Sequence, residues 1–115
     1  MNIGVRWHWQ MSFTDQVYQL TQQIPVGRVS TYKEIAKTLN TKAYRVIGQV
    51  LKRNPHAPVV PCHRVVRNDG SIGGYAGFTH GPKLQEKISL LSQEGVQVED
   101  GRVVNFLQLL YHFNH

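Results

Sequence analysis

A chain of 115 residues with a formal charge of +6 and one cysteine has the length of a single domain, enough to bury roughly two thirds of its unfolded surface around one core. One cysteine excludes an internal disulfide and a multi-cysteine zinc or iron–sulfur centre, and no metal or other cofactor is expected. Residues 1–11 hold Arg6, His8 and two tryptophans without a long apolar run, which fits neither a signal peptide nor a membrane span; a disulfide-free domain suits a reducing compartment, so a cytoplasmic location is expected.

Residues 1–11 read as a leader with aromatic anchors, and 12–115 as the domain. Ser12 with Asp15 makes a box-like helix start, and Phe13, Val17, Leu20 and Ile24 follow at helical spacing until Pro25 and Gly27 stop the helix. Val29-Ser30 is a short extended link. Thr31 with Glu34 is a second capping box, opening a helix over 32–39 with Ile35, Ala36 and Leu39 inward. Asn40-Thr41 turns the chain into a third helix over about 42–53, expected to bury Ala43, Val46, Ile47, Val50 and Leu51. Two short helices joined by a tight polar turn are a helix-turn-helix candidate, a pattern that many helix pairs share without touching DNA. Gly48 inside the third helix costs roughly 1 kcal/mol against alanine, which suggests a close approach there, by a packed neighbour or by a ligand.

Asn54-Pro55 ends that helix, because a residue before proline leaves the α region. The stretch 59–66 is apolar at both ends yet carries Cys62, His63 and Arg64 at its centre; it is expected to run through the middle of the molecule, with a tight turn at Pro61-Cys62 leading into a strand. Asn68-Asp69-Gly70-Ser71 reads as a hairpin-type turn, and 72–77 as a glycine-rich loop carrying Tyr75. The loop runs on to Pro82, suited to the first turn of a helix over 83–93 with Leu84, Ile88, Leu90 and Leu91 inward and Gly95 as its stop. Segments 96–98 and 102–104 flank Glu99-Asp100-Gly101 as a small hairpin, and the apolar tail 106–113 packs back on the domain. The expected fold is mostly α (α+β), a winged helix-turn-helix-like single domain with a short β-hairpin or wing.

Charge is unevenly spread. Lys33, Lys37, Lys42, Arg45, Lys52, Arg53, Arg64 and Arg67 lie between residues 33 and 67, where Glu34 is the one acid. Basic composition often serves solubility alone, but a cationic segment around the thiol points to a phosphate backbone.

Taken alone, a single cysteine is more often a small buried hydrophobe than a nucleophile. An imidazole can nevertheless take a thiol's proton, directly or through a water, if a carboxylate holds the ring. Neighbours on a strand point to opposite faces, so Cys62 and His63 need a turn or a bridging water to cooperate. Glu94 closes the last helix at an end where its charge opposes the macrodipole; it is either an ordinary solvated glutamate or a partner for His63. Tyr32 sits in a first helical turn, a poor place for a core anchor. The loop 73–77 is either a plain connection or a bare backbone floor for a flat ligand.

Together these residues resemble the O6-alkylguanine-DNA alkyltransferase family (methylated-DNA–protein-cysteine methyltransferases), over its C-terminal DNA-binding and active-site domain. The blocks, in order, are Ile24-Pro25-x-Gly27-x-Val29-Ser30-Thr31-Tyr32-x-Glu34-Ile35-Ala36, Arg45-Val46-Ile47-Gly48, Asn54-Pro55, Val60-Pro61-Cys62-His63-Arg64-Val65-Val66, Gly73-Gly74-Tyr75-x-Gly77 and Lys87-x-x-Leu90-Leu91-x-x-Glu94-Gly95. The resemblance implies that Cys62 takes the alkyl group from guanine O6, that His63 is its base through a water, that Glu94 orients His63, and that Tyr32 assists the leaving base. It implies that Arg45 fills the space left by the flipped nucleotide in the minor groove. Lys42, Gly48, Arg53 and Arg64 are expected to meet DNA beside Arg45 and Tyr32. Leu51, Asn54, Val65, Tyr75 and Ala76 are expected around the substrate, with Asn54 bracing the turn and the backbone near Cys62 and Val65 reading the guanine edge.

The implied partner is double-stranded DNA containing O6-alkylguanine, met by a monomer in the cytoplasm (on the nucleoid, or in a eukaryotic nucleus), with hand-off to another repair system as a further reading. Two departures stand out: the family's usual N-terminal domain, which carries its structural zinc where it has one, is not in the chain, and 78–82 looks like an insertion beside the pocket loop. Alkyltransferase-like lesion sensors share the domain and bind without repairing, typically with tryptophan or alanine where this chain has Cys62. They are the alternative, along with a plain DNA-binding regulator in which Cys62 is filler.

Overall fold

Capping chemistry sets where the helices begin. In the computed structural model, which describes residues 11–113, Ser12 accepts a hydrogen bond from the Asp15 amide at 3.1 Å and opens helix α1, Phe13–Gln23. Its buried residues include Val17, Leu20 and Thr21, with Ile24 buried at its end. Thr31 does the same for α2, Tyr32–Thr38, by accepting from the Glu34 amide at 3.1 Å. Asn40, at a φ of 54°, ends α2 in the left-handed turn that an asparagine tolerates, and the Thr41 amide closes back on the Ala36 carbonyl. Helix α3, Tyr44–Lys52, follows at once and packs on both α1 and α2. The helix-turn-helix reading therefore holds, with α3 beginning at Tyr44 rather than Lys42.

Two of the expected core positions of α3 lie elsewhere. Ile47 and Leu51, four apart, fix the inward face and are buried, each contributing about 1.5–3 kcal/mol. Val46 lies one residue, some 100°, off that face and is 48% exposed, and Ala43 is the residue before the helix. Val59 likewise is 74% exposed, so the apolar run around the cysteine enters the core only from Val60 onward.

The link at 29–31 acquires a partner that no local pattern announces. Strand β1, Ser30–Thr31, pairs in parallel with β2, Val65–Val66, in the register Ser30↔Val65 and Thr31↔Val66. Between Pro61 and β2 the chain makes one 3₁₀ turn, Cys62–Arg64, instead of a continuous strand. Successive strand residues face opposite sides, so Val65 joins a core with Val17, Leu20, Ile35, Ile47, Leu51 and Cys62, while Val66 joins a second with Val29, Ile72, Leu91, Val96 and Val103.

Helix α4, Pro82–Gln93, starts on Pro82 as expected and buries Leu91, but its other fully buried side chain is Lys87; Leu84, Ile88 and Leu90 are half-buried. The wing is the antiparallel pair β3, Val98–Glu99, and β4, Arg102–Val103. Asp100 and Gly101 both take positive φ at its tip, the two-residue turn that matches strand twist. The tail forms a short helix α5, Phe106–Leu109, then returns to the core: Leu110 bridges Val29, and Phe113 is buried. The leader at 1–11 lies outside the described residues except for Met11, whose carbonyl accepts from Gln16 Nε2.

Candidate active site and basic face

The parallel strand pair is what assembles the site. It places Thr31, and so Tyr32 at the head of α2, beside the segment that has just delivered Cys62. The 3₁₀ turn is closed by Arg64 N–H to the Pro61 carbonyl at 2.9 Å, and the preceding loop is tied by Asn54: Nδ2 donates to the Val60 carbonyl at 2.7 Å and Oδ1 accepts from the His56 amide at 2.9 Å. Asn54 thus ties both sides of the loop that leads into the turn.

Cys62 is buried, and burial pushes its thiol pKa up; a hydrogen bond from Asn54 and the charge of Lys87 pull the other way without cancelling it. The side chain opens on a cavity of about 190 Å³ lined by Tyr32, Gly48, Leu51, Lys52, Gly74, Tyr75, Ala76, Gly77 and Thr79. Tyr75 and Phe78 exchange both backbone hydrogen bonds at 2.8 Å across Ala76 (φ 51°) and Gly77 (φ 88°), a tight turn with both central residues left-handed. Burial raises the phenols of Tyr32 and Tyr75, the latter to about 12, so both remain hydrogen-bond donors at neutral pH.

His63 is 1% exposed and its Nε2 lies 2.9 Å from Glu94 Oε2. A carboxylate only accepts, so Nε2 carries the proton. Burial lowers the imidazole's pKa against the raising effect of Glu94, so the ring is neutral at pH 7 and Nδ1 holds a lone pair. No protein group among the described residues meets that Nδ1. Burial pushes Glu94 up, but hydrogen bonds from Arg64 and His63 outweigh this and hold it below the usual carboxylate range.

Arg64 departs from its expected place on the DNA face. Nε and Nη2 grip the two oxygens of Glu94 at 2.9 and 2.8 Å, and Nη1 donates to the Ile24 carbonyl at 2.7 Å. The guanidinium is used inside the molecule, where it neutralises the carboxylate at the C-terminus of α4. The Val65 side chain is in the core and absent from the cavity wall, so its backbone, the part expected to read the guanine edge, is what is left to meet a ligand. One lone pair of its carbonyl is taken by Lys87, and a carbonyl oxygen accepts two.

Lys87 is the residue that the sequence reading left without a role. It is 1% exposed, and its ammonium donates to the carbonyls of Val65 (3.0 Å), Gly74 (3.0 Å) and Ile72. It ties the strand after Cys62 to the loop that walls the cavity, and burial lowers its pKa to about 8. The signal was its spacing: Leu84, Lys87 and Leu91 share one face of α4, where an apolar residue is the norm. Lys52 and Thr79 were also not anticipated in the wall; Thr79 comes from the segment read as an insertion.

Gly48 resolves its two readings. An added Cβ would meet nothing within 4 Å, so no packed neighbour demands the glycine. It lines both the thiol cavity and an adjoining groove of about 670 Å³ formed by Tyr32, Tyr44, Arg45, Arg67, Asn68, Asp69 and Gly74. Lys33, Lys37, Lys42, Arg45, Lys52, Arg53 and Arg67 are all exposed. Among the described residues, no cluster of three or more His, Cys, Asp or Glu side chains is arranged to hold a metal, and no helix is long and apolar enough to cross a membrane.

The chain has relatives. Residues 12–96 match the family model described as 6-O-methylguanine DNA methyltransferase, DNA binding domain. The methylated-DNA–protein-cysteine methyltransferase of Thermococcus kodakarensis is 46% identical over 86 residues, 74% of this chain and 45% of that one. A bifunctional methyltransferase/endonuclease of Picrophilus torridus is 39% identical over 88 residues, 76% of this chain and 28% of that one. This chain thus spans half or less of the length of these curated relatives. The structure of Atl1 from S. pombe, in complex with damaged DNA containing O6-carboxymethylguanine, superposes with a TM-score of 0.75 at 27% identity, over 98% of this chain and 100% of that one. The chain belongs to the 6-O-methylguanine DNA methyltransferase family, through that family's DNA-binding domain.

Proposed function

We propose that this protein binds duplex DNA, extrudes an O6-alkylguanine into the Cys62 cavity and moves the alkyl group to its own sulfur. The observation that carries the proposal is a buried thiol followed by a neutral histidine, with Nε2 fixed by Glu94 and Nδ1 left as a lone pair. The thiol proton passes through a bridging water to Nδ1 of His63. The sulfur then attacks the alkyl carbon; an S–C bond forms, the C–O6 bond breaks, and its electron pair returns to guanine. The Tyr32 hydroxyl, kept protonated by burial, supports the leaving base by hydrogen bonding or proton donation at N3. Tyr75 and the Ala76 amide flank the alkyl and O6 side.

An O6-alkyl group inside the stack is out of a thiol's reach, so the base must be flipped. Arg45, exposed on α3 at the groove that opens into the cavity, fills the vacated space, while Lys42 and Arg53 meet phosphates. Among the described residues no second side chain is disposed to cleave the resulting thioether, so each molecule acts once, as a monomer in the DNA's compartment.

Likeness to Atl1 over almost the whole of both chains supports a second reading, a sensor that holds the lesion for another repair system without removing it. The two part in one experiment. Duplex DNA carrying a single O6-methylguanine is incubated with the protein and its bases are then analysed. Guanine restored at one per protein supports repair; tight binding with the lesion intact means sensing. A Cys62→Ser variant that restored guanine would overturn the assignment of the nucleophile.

A further inference from the structure

Tyr44 is a large aromatic that the proposed chemistry does not use. It stands in the first turn of α3 and is 45% exposed, immediately before Arg45 and two residues before Val46, itself 48% exposed. It lines two depressions at once. On one side lies the groove with Arg45 and Gly48 that opens into the thiol cavity. On the other lies a groove of about 380 Å³ lined by Lys33, Lys37, Asn40, Thr41 and Lys42. The ring is therefore the crest between a basic trough and the entrance to the site.

We propose that Tyr44 is a stacking wedge, seated on the base pair next to the extruded nucleotide. The proposal rests on the reading that this face receives duplex DNA. The occupant is fixed by complementarity. Three exposed lysines line the outer trough and suit the phosphates of one strand, while the inner groove leads the other strand to Cys62. A crest between two backbone tracks meets the groove floor, where only base edges and opened stacking faces lie. Apolar and aromatic wedges hold a base step open against its own restacking. Arg45 supplies charge to the vacated space, which leaves the exposed face of the neighbouring base pair to be covered. A phenol ring offers a flat face there, and stacking tolerates any base sequence.

The test compares transfer rates from the same lesion in duplex and in single-stranded DNA, since only the duplex needs a wedge. Tyr44→Ala is expected to lower the duplex-to-single-strand ratio between about 5-fold and 150-fold, the range for one lost base–aromatic stack, and Tyr44→Phe to preserve it. Lys42→Ala, on the trough that meets the strand a single-stranded substrate lacks, should weaken binding to the duplex and, at saturating protein, leave the ratio of transfer rates in place. A second readout uses 2-aminopurine beside the lesion, whose fluorescence should change on binding wild type and much less on binding Tyr44→Ala. A ratio within twofold of wild type for Tyr44→Ala, with an unchanged 2-aminopurine signal, would overturn the wedge. If wild type transfers nothing from either substrate, the repair reading fails, and the 2-aminopurine signal alone decides the wedge.

Discussion

Replacing Gly48 by alanine separates folding from function. The position is the fifth of nine in α3, with a helical backbone, and an added methyl group meets no atom within 4 Å. Alanine should therefore stabilise the helix by about 0.8–1 kcal/mol at no packing cost. For a domain of this size that is a rise of about 4 °C in Tm, measured by calorimetry. The same methyl group projects where the thiol cavity meets the Arg45 groove. Transfer from duplex DNA should fall between about 10- and 100-fold, the scale for a displacement of about 1 Å in a reacting pair. Alkylation of Cys62 by a small haloacetamide, which needs no DNA, should change far less. A less stable Gly48→Ala protein, or one that repairs duplex DNA at the wild-type rate, would refute the reading that the glycine is kept for a ligand.

Other outcomes follow from the same geometry. Glu94→Gln removes the negative charge and one of the two acceptor oxygens that His63 and Arg64 share; transfer should fall by about 10²- to 10⁴-fold in single-turnover kinetics while lesion binding is retained. The transfer rate should climb with pH above neutrality, because burial raises the Cys62 thiol while lowering His63, which is already neutral there; a bell falling on its alkaline side between pH 7 and 8 would contradict this. Lys87→Met leaves three carbonyls without their donor and should cost about 1–3 kcal/mol at pH 7. Lys87 also carries a signature in pH. Its folded pKa is about 8 against an ordinary 10.5, so between those values the unfolded chain holds a proton that the folded one lacks. Its contribution to stability therefore rises with pH across that window, and the methionine variant, lacking the titration, should show a flatter urea-unfolding profile there. Arg45→Ala should slow transfer from duplex DNA more than it slows haloacetamide capture of Cys62, whereas Arg53→Ala, which removes a phosphate contact, should reduce the salt slope of binding by about one.

Local chemistry was the legible part of the chain. Ser12 and Thr31 announce helix starts through side-chain oxygens that reach the amides three residues on, and Asp100-Gly101 announces a two-residue turn. A carboxylate at the wrong end of a helix left the His63–Glu94 pair as one of two readings, and the structure forms it. What local pattern could not supply was the non-local pairing of Ser30–Thr31 with Val65–Val66, since parallel partners share no turn and these strands have two residues each. Without that pairing, Arg64 read as one more cation in a basic segment, whereas the 3₁₀ turn directs it to Glu94 and the Ile24 carbonyl. Val46 failed for a similar reason: an apolar side chain on a short helix has two faces open to it, and only the packing of Ile47 and Leu51 on α1 and α2 decides which is inside.

The most direct measurement is the intact mass of the protein after incubation with an excess of duplex DNA bearing one O6-methylguanine. A gain of one methylene per molecule, located on the peptide carrying Cys62 and absent from Cys62→Ser, is the expected result. A protein that binds the lesion tightly and keeps its original mass would contradict alkyl transfer and leave Cys62 as a wall of a sensing pocket.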